Sequence, residues 1–500
     1  MNVLYLCAAL ALVARSAAIP LQVESWPFEM NPMQNFSENM KAFFEVQKDR
    51  VERAFSTSYQ EAMRMKDSVS GYLDDKGKEI SSNINAYVEN VKDSGRQMTD
   101  KWSYLHVEEP GARKDNPDLS LSVPSIIARH GYSCETHTVV SQEYMLSVHR
   151  IPRSKRGEHT PRNTVILQHG LFASSADWIL NGPDRALAYV LADAGYDVWM
   201  PNIRGNRYSK EHAVLKSDSK SFWNFSWHDV ARYDLPAVID HVAKLKGEEA
   251  KITYIGHSMG TTVLFAMLSL RPEYNDRLAA GFALAPVAFL SDVRSPVKAL
   301  APIASNVAYM EMLYGSHEFI PKHSVLGKMA SSCDADDVDA LVCKNVIFYI
   351  CGYNEKQFNK TLLPVFLANL GTGTSWKTAV HFAQEILAGE RFQQFDYGKT
   401  DNLKVYGAEQ PPEYDLGEIT LPIKLFWAEN DLLSSEKDVR LLYERLPSTT
   451  EMYKVPDPGF NHLDYLWAID APTLVNDEVL KSLDKVYSSE PVNFSWSWKL

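Results

Sequence analysis

Short apolar runs alternate with amphipathic stretches from about residue 118 onward. A run in which nearly every side chain is apolar is typical of a strand that is buried on both faces of a sheet. The intervening segments, such as Asp184–Ala194 and Tyr233–Leu245, have the pattern of helices. Strands that alternate with helices predict a doubly wound parallel sheet of the α/β class. The predicted strands are Asn163–Gln168, Asp197–Met200, Lys251–Ile255, Gly281–Ala285 and Ile423–Trp427.

The alternation is interrupted between about Ser291 and Pro412, where the pattern becomes mainly helical before the sheet resumes. Open α/β sheets have their active sites at the C-terminal edge of the strands. An insertion at this place would lie over that edge, and we expect it to form a cap. We therefore predict a core in two parts, 118–290 and 413–500, and a helical cap or lid at 291–412.

Residues 19–117 have a different pattern, in which apolar side chains recur at spacings of four and seven from Phe44 to Trp102. These spacings average about 3.6 residues per turn, the period of a straight amphipathic helix. We predict one or two helices that pack on the main domain or on a partner protein. The alternative is a segment that lies on a lipid surface through residues 40–102, as interfacial helices do. A polar, breaker-rich linker, Pro110–Pro117, ends this extension.

The first 18 residues have the features of a secretory signal peptide. Leu4–Val13 is an apolar segment of suitable length, and small residues follow it at positions 16–18. The alternative is a buried N-terminal strand or helix. No later run is long enough to span a membrane, so we expect a secreted protein, extracellular or luminal, with a lysosome or a yolk body as specific destinations. Four glycosylation sequons agree with that route, at Asn35, Asn224, Asn359 and Asn493.

The composition supports a folded core and restricts the partners. Of the 500 residues, 45% are hydrophobic and 11% are aromatic, which is ample for one large domain with attachments. The net charge of −12 argues against nucleic acid or an anionic membrane as the main partner, because both favour Lys and Arg.

The cysteine count excludes a fold that is held together by disulfides. Removing the predicted signal peptide with Cys7 leaves Cys134, Cys333, Cys343 and Cys351, too few for a disulfide scaffold. The spacing of Cys333 and Cys343 permits a bridge between them without requiring one.

A nucleophile motif follows one of the predicted strands. Gly256-His257-Ser258-Met259-Gly260 matches the pattern G-x-S-x-G, in which a sharp strand-to-helix turn exposes a reactive serine. The pentapeptide alone is also compatible with a structural Gly-Ser turn. The context favours the catalytic interpretation, because Lys251–Ile255 has the pattern of a strand and Thr261–Leu268 that of a helix. We therefore predict that Ser258 is a nucleophile on an α/β-hydrolase fold.

A serine nucleophile requires a base, and the base requires an orienting acid, in the chain order Ser, Asp, His for this fold. Asp431 follows the apolar run Leu421–Trp427, and the end of a strand is a suitable place for the acid. Glu429 and Asp438 are competing candidates. A helix N-cap or a turn is the alternative role for Asp431 by itself.

His462 is the only histidine after Asp431 in the sequence, so it is the only candidate for the base in the chain order Ser, Asp, His. By itself it would be interpreted as a surface histidine. In the predicted triad, Ser258 transfers its proton to His462, and Asp431 fixes the tautomer and stabilises the imidazolium. This chemistry requires no metal and no cofactor.

The fourth part of such a site is an oxyanion hole. One donor in this fold is the backbone N–H after the nucleophile, here that of Met259. The second comes from the loop after an early strand, and we predict the N–H of Leu171, since Gly170 permits a close approach. We expect His169 to be structural rather than catalytic.

These residues give the chain, from about Asp118 to about Tyr487, a resemblance to the acid lipase family, which includes gastric lipase and lysosomal acid lipase. The resemblance implies hydrolysis of neutral lipid esters at a lipid–water interface, with triacylglycerols as substrates and sterol esters as a further class. It implies the same triad and the same two oxyanion donors. The matching blocks are His169–Trp178, Asp193–Met200, Asn202–Asn206, Tyr233–Ala237, Gly256–Thr262, Ala283–Ala288, Asn430–Leu433 and Asn461–Tyr465.

Two features, the cysteines of the predicted cap and the residue after the nucleophile, carry the resemblance to single positions. The cysteines of the family's cap are similar to Cys333, Cys343 and Cys351, which implies a bridge between the first two and a free Cys351. Met259 stands where mammalian members usually carry Gln, a difference without consequence if only the backbone donates.

The extension of about 100 residues is a larger departure, because gastric lipase has no counterpart of it. It is similar in placement to the extensions of insect egg-specific or yolk proteins that derive from this family. Two hypotheses follow: a secreted serine lipase that forms an acyl-enzyme on Ser258, or a yolk storage or lipid-binding protein with weak or no catalysis. The retained catalytic positions favour the enzyme.

Overall fold

The computed structural model describes residues 116–155, 163–247, 250, 252–305, 317–319 and 347–488. The predictions for the signal peptide, the amphipathic extension, Asn35, Asn493 and the pair Cys333 and Cys343 fall outside the described residues. Among the described residues, no helix is both long and apolar enough to cross a membrane.

A nine-stranded sheet forms the centre of the structure, with eight strands in the order β1-β2-β4-β3-β6-β7-β10-β11 and β5 paired to β2. β1, β2 and β5 pair antiparallel, as do β2 and β4, and the neighbours from β4 to β11 are parallel. A second sheet pairs β8 with β9. The strands are β1 Glu135–Ser141, β2 Tyr144–Ile151, β3 Thr164–Gln168, β4 Asp197–Pro201, β5 Glu211–His212, β6 Ile252–His257, β7 Leu278–Leu284, β8 Glu318–Phe319, β9 Thr374–Ser375, β10 Ile423–Trp427 and β11 Glu451–Lys454.

All five predicted strands are present, as β3, β4, β6, β7 and β10, and the α/β-hydrolase fold predicted from the sequence is confirmed. β3, β4 and β10 are buried along their whole length, which explains why their sequences are mainly apolar. The antiparallel strands β1 and β2 and the edge strand β11 were not predicted, because their residues are less apolar.

Helices lie between the strands and across the sheet. The predicted helices Asp184–Ala194 and Tyr233–Leu245 correspond to α2 and α3. The helix α4 begins directly after Ser258 and is buried along nearly its whole length. The helices of seven or more residues are α1 Val123–Arg129, α2 Leu187–Asp193, α3 Leu235–Lys246, α4 Met259–Leu270, α5 Leu363–Asn369, α6 Trp376–Ala388, α7 Lys399–Tyr406, α8 Glu436–Arg445 and α9 Asp477–Ser488.

Shorter helical turns complete the described part of the chain. Residues 347–351 are also helical. The short α-helices are Trp227–Asp229, Tyr274–Arg277, Ala301–Ala304 and Asp464–Trp467, the π-helices are Val230–Asp234 and Pro472–Asn476, and the 3-10 helices are Pro117–Leu119, Ser175–Trp178, Lys220–Trp223, Pro296–Leu300, Lys360–Leu362 and Leu416–Glu418.

The hydrophobic core has two layers, one on each face of the sheet. Alternate side chains of β3 enter different layers: Ile166 packs with residues of α3 and α4, whereas Val165 and Leu167 pack with residues of α1, α2 and α9. This alternation is the two-residue period of a strand that is covered on both faces. The two layers hold the central strands in place, and the C-terminal ends of β3, β6 and β10 lead into the loops of the candidate site.

Between β7 and β10, within the predicted cap at 291–412, the described residues are mainly helical and include the small sheet of β8 and β9. Two of these segments form hydrogen bonds to the loops of the core. Gly371 N and Thr372 N donate to Phe172 O at 3.0 and 3.2 Å, and Cys351 O accepts from the loop after β10. Part of this region is therefore bonded directly to loops at the C-terminal edge of the sheet.

Candidate active site

Ser258 lies at a sharp turn between β6 and α4, with φ 53° and ψ −120°. A positive φ is unfavourable for a residue with a side chain, and such strain is found where the surrounding structure enforces it. The two glycines of the motif make this turn possible. A Cβ at Gly256 would lie 2.7 Å from the backbone carbon of Gly260, and a Cβ at Gly260 would collide with Gln168 O. The turn therefore holds the Ser258 side chain partly exposed above the sheet.

His462 lies between Ser258 and Asp431. Its Nε2 is 2.8 Å from Ser258 Oγ, and its Nδ1 is 2.9 and 3.1 Å from the two carboxylate oxygens of Asp431. Because Asp431 accepts a hydrogen bond from Nδ1–H, Nε2 is left to accept the proton of the Ser258 hydroxyl. Asp431 is fully buried and His462 is 3% exposed, so the acid–base pair is shielded from water. The structure thus brings together the three residues predicted as a triad.

Asp431 is held in the turn after β10. Its Oδ1 accepts hydrogen bonds from the backbone N–H groups of Leu433 and Ser434, at 2.9 and 2.8 Å. These bonds satisfy the buried carboxylate and fix its orientation toward His462, as buried polar groups require. The orientation of the Asp431 carboxylate is therefore set by the backbone of its own loop.

The two competing acids are engaged elsewhere. Glu429 is exposed and pairs with Lys454 Nζ at 2.7 Å, which lowers the pKa of that carboxyl. Asp438 accepts from Ser291 N and Asp292 N, at 3.1 and 2.9 Å, in the first turn of α8. Neither rival is the partner of the His462 imidazole.

Leu171 and Met259 lie on the two segments that approach Ser258. Met259 is the first residue of α4, and the N–H groups of a first helical turn have no partner within the helix. A Cβ at Gly170 would lie 3.1 Å from Ser258 Cβ, so the loop that carries Leu171 is close to the nucleophile. Among the described residues, no group accepts a hydrogen bond from either N–H. Both N–H groups therefore remain available as hydrogen-bond donors beside Ser258.

His169 has the structural role expected from the sequence. Its Nδ1–H donates to Gly170 O at 2.8 Å, and its Nε2 accepts from Ile203 N and Asn206 Nδ2, each at 3.3 Å. Burial lowers the pKa of His169 to about 4, so the ring is neutral and forms these three bonds at neutral pH. His169 therefore fixes the backbone of the predicted oxyanion loop.

Two polar groups beside the triad were not identified from the sequence. His257, which is buried, donates from Nε2 to His462 O at 2.8 Å, and burial lowers its pKa to about 3. Asp464 accepts from Asn461 N and from Asn354 Nδ2, each at 2.8 Å, and burial raises its pKa to about 7. His257 lies within the nucleophile motif and Asp464 within the block Asn461–Tyr465, but only contacts between distant segments reveal what they do.

Of the remaining predicted positions, Cys351, Asn224 and Asn359 belong to the described residues. Cys351 is buried and free, as the resemblance implied, and burial raises the pKa of its thiol; Cys134 is also free. Asn224 is exposed and Asn359 is partly exposed. Asn224 Oδ1 accepts from Lys377 Nζ at 3.3 Å, and Asn359 Oδ1 accepts from Thr361 N at 3.2 Å.

Comparison with known proteins identifies the family. The model for the alpha/beta hydrolase fold matches residues 163–468, and that for a partial alpha/beta-hydrolase lipase region matches 123–182. "Lipase 3" of Drosophila melanogaster is 42% identical over 357 residues, which cover 71% of this chain and 90% of the relative. The gastric triacylglycerol lipase of Homo sapiens is 36% identical, with coverage of 74% and 92%. The lysosomal acid lipase/cholesteryl ester hydrolase of Macaca fascicularis is 32% identical, with coverage of 77% and 96%.

These relatives share most of their own length with the chain. The family-model match at residues 163–468 includes the segments that carry the nucleophile turn, the acid and the base. The two oxyanion segments lie in the matched region as well. The chain therefore belongs to the acid lipase family of α/β-hydrolases and is a carboxylic ester hydrolase.

Proposed function

We propose that this protein hydrolyses neutral lipid esters, triacylglycerols first and sterol esters as a further class, through an acyl-enzyme on Ser258. The observation that carries the proposal is the chain of hydrogen bonds from Ser258 Oγ through His462 to Asp431. The substrate class is supported by the relatives, which are named as a gastric triacylglycerol lipase and a lysosomal acid lipase/cholesteryl ester hydrolase.

In the acylation step, Ser258 Oγ attacks the carbonyl carbon of the ester while its proton passes to His462 Nε2. Asp431 stabilises the imidazolium that forms, because its carboxylate accepts the hydrogen bond from Nδ1–H. The negative charge of the tetrahedral intermediate develops on the former carbonyl oxygen. The N–H groups of Leu171 and Met259 are the donors for that oxygen, and one such donor contributes about 3–4 kcal/mol.

The intermediate collapses when the bond from carbon to the alcohol oxygen breaks, and His462 Nε2–H protonates the departing alcohol. In deacylation, water attacks the acyl carbon, His462 takes a proton from the water, and the proton then passes to Ser258 Oγ as the fatty acid leaves. The enzyme returns to its starting protonation state, with His462 neutral. This cycle uses only the side chains and backbone groups of the site.

The proposal is tested by hydrolysis of emulsified triolein and of a short-chain soluble ester, with wild type and Ser258→Ala. We expect Ser258→Ala to lose both activities and to lose labelling by a fluorophosphonate. Ser120→Ala, at an exposed serine outside the site, is the matched control and should be unaffected. Equal rates for wild type and Ser258→Ala would refute the assignment of Ser258.

We further propose that the protein is secreted and glycosylated, with a lysosome or a yolk body as specific destinations and a disulfide between Cys333 and Cys343. The exposure of Asn224 and the partial exposure of Asn359 support the use of these two residues as acceptors. Asn35 and Asn493 are proposed as acceptors from their sequons alone. The mass of the secreted protein before and after enzymatic deglycosylation tests the acceptors. An unchanged mass would contradict the glycoprotein assignment.

A yolk storage or lipid-binding protein is the second candidate. It is favoured by one observation: the match with "Lipase 3" covers 90% of that relative but only 71% of this chain. The extension at 19–117 lies outside both family-model matches, and we propose that it contacts a lipid surface or a partner protein through residues 40–102. Binding of the full chain to triolein emulsion, compared with a variant that lacks 19–117, tests the contact. Equal binding would exclude a lipid-surface role, and turnover by the full chain would exclude a purely storage function.

A further inference from the structure

A short segment of the predicted cap bonds to both loops that carry the acid and the base. We refer to residues 351–354 as the strap, to 429–434 as the acid loop, which carries Asp431, and to 459–464 as the base loop, which carries His462. All three segments belong to the described residues. The acid and base loops follow different strands, β10 and β11, so their separation is not set by one continuous element.

The backbone of the strap bonds to both loops at a single atom. Cys351 O accepts hydrogen bonds from Leu432 N at 3.4 Å and from His462 N at 3.3 Å. Leu432 is the residue directly after the acid, and His462 is the base itself. The carbonyl therefore connects the backbones next to the two catalytic side chains.

Side chains of the base loop and the strap add two further bonds. Asn461 Nδ2 donates to Gly352 O at 2.9 Å, and Asn354 Nδ2 donates to Asp464 Oδ2 at 2.8 Å. The same Asp464 oxygen accepts from Asn461 N at 2.8 Å. His462 thus lies in the sequence between Asn461 and Asp464, and both of these residues are hydrogen-bonded to the strap.

The acid loop contacts the strap through Asn430. Its Nδ2 donates to Tyr353 O and to Gly459 O, each at 2.9 Å, so one amide connects the acid loop with both the strap and the base loop. The Tyr353 side chain is 61% exposed, and only its backbone carbonyl takes part in these bonds.

Gly352 is the closest point of approach. Its φ is +116°, and a Cβ there would collide with Asn430 O and lie 2.9 Å from Asn461 Cβ. A side chain at this position would push the acid loop and the base loop at the same time. Only glycine accommodates both the backbone conformation and the contact.

We propose that the strap is a positioning element that sets the separation of Asp431 and His462, so that the predicted cap is coupled to the catalytic geometry. The inference rests on the proposed roles of Ser258, Asp431 and His462. A merely structural strap would alter stability, whereas a positioning strap alters turnover in molecules that remain folded. Misplacement of catalytic groups by about 1 Å can cost on the order of a hundredfold in rate.

The test compares Gly352→Ala with Gly247→Ala in the full chain. Gly247 has a similar φ of +105°, but a Cβ at this position would have no atom within 4 Å, so the control reproduces the backbone strain without the collision. Active sites are counted by fluorophosphonate titration, and kcat and KM are measured on a soluble short-chain ester. We expect kcat per titrated site to fall about a hundredfold in Gly352→Ala, with KM changed by less than about twofold. The rate constant of fluorophosphonate labelling should fall in parallel.

The outcomes separate the strap from the proposed function. If Ser258→Ala is inactive while Gly352→Ala and Gly247→Ala turn over equally per site, the strap proposal is overturned and the proposed function stands. If Ser258→Ala retains activity, the proposed function fails and the strap proposal fails with it. Should Gly352→Ala not fold, Asn354→Leu provides the same comparison, since it removes the donor to Asp464 without placing a Cβ against Asn430. Wild-type turnover per site in Asn354→Leu would then overturn the proposal.

Discussion

His257 Nε2 donates a hydrogen bond to the backbone carbonyl of His462 at 2.8 Å, so the residue before the nucleophile holds the residue that carries the base. His257 is buried in the turn that fixes Ser258, and its ring lies 5.1 Å from the His462 ring, centroid to centroid. The nucleophile turn and the base loop are therefore connected by two bonds, one between side chains and one to the backbone. This double connection fixes the base relative to the serine.

Replacing His257 with Phe is expected to preserve the ring volume but to leave His462 O without this donor. A buried acceptor without a partner costs about 1–3 kcal/mol of the free energy of unfolding. Because His462 loses part of its support, kcat should also fall, with KM nearly unchanged. Chemical denaturation and steady-state kinetics on a soluble ester measure the two effects.

The pH profile gives a control for the His257 variant. Burial lowers the pKa of His257 to about 3, so its ring is neutral from pH 4 upward and does not titrate during the reaction. His257→Phe should therefore lower kcat/KM by a constant factor across pH 5–8. A change in the shape of the profile would show that His257 takes part in proton transfer.

Asp431→Asn is expected to place the wrong tautomer of His462 against the serine. The amide oxygen would remain where Oδ1 accepts from Leu433 N and Ser434 N, which leaves the NH₂ group facing His462 Nδ1. The imidazole would then carry its proton on Nε2, so Nε2 could not accept the proton of Ser258. We expect kcat to fall on the order of 10⁴-fold, the size of this effect in serine proteases. Retention of more than a tenth of wild-type kcat would refute the role of Asp431 as the orienting acid.

The sequence was sufficient to predict the buried strands and to select Ser258, Asp431 and His462, the three residues that the structure brings together. The strands β3 and β10 are mainly apolar, and the motif G-x-S-x-G between a strand pattern and a helix pattern predicts the turn at Ser258. The hairpin of β1 and β2 was missed because its turn has no Asn-Gly signal: Gln142 and Glu143 adopt positive φ values of 45° and 67° instead. Antiparallel strands near the sheet edge also carry polar residues, which weakens the apolar pattern.

The supporting contacts of the site could not be predicted in the same way. Nothing in the sequence near Asn354 indicates that its amide reaches Asp464, 110 positions further along the chain. The choice between Asp431 and its rivals also required the fold, because all three acids lie close together in sequence and only one of them meets His462. Pairings of this kind depend on how distant loops meet at the sheet edge, and local patterns carry no information about that.

A threonine of the predicted cap supports the loop of the oxyanion hole. Thr372 Oγ1 donates to Ala173 O at 2.5 Å, and Thr372 N donates to Phe172 O at 3.2 Å. Phe172 follows the predicted donor Leu171 and has a positive φ of 60°, so its conformation depends on such bonds.

Thr372→Val is expected to remove the hydroxyl donor while keeping the shape of the side chain. We expect a loss of about 1–3 kcal/mol in the free energy of unfolding, together with a lower kcat, because the oxyanion loop loses a support. Thr473→Val removes an exposed hydroxyl that also bonds a backbone carbonyl, and it should change neither quantity. Equal kcat for Thr372→Val and wild type would show that the bond serves stability alone.

Asp464 makes the stability of the site depend on pH. Burial raises its folded-state pKa from 3.8 to about 7, and the negative charges of Asp457 and Asp431 add to the shift, against the hydrogen bonds from Asn461 and Asn354. A carboxyl whose pKa is raised on folding stabilises the folded state below its unfolded pKa. That contribution is lost as the pH rises through the folded pKa. Wild type should therefore lose this part of its stability between about pH 4 and pH 7.

Asp464→Asn isolates the effect, because both hydrogen bonds are accepted by Oδ2 and the amide oxygen can accept them in its place. The variant resembles the protonated carboxyl at every pH. We expect wild type and Asp464→Asn to unfold at similar denaturant concentrations near pH 4. As the pH rises, the variant should become more stable than wild type, by at most about 4 kcal/mol in the free energy of unfolding above pH 7. The difference between the two proteins at each pH removes the contributions of the buried histidines, which titrate in both. A difference that does not change between pH 4 and pH 8 would mean that Asp464 is ionised in the folded protein throughout this range.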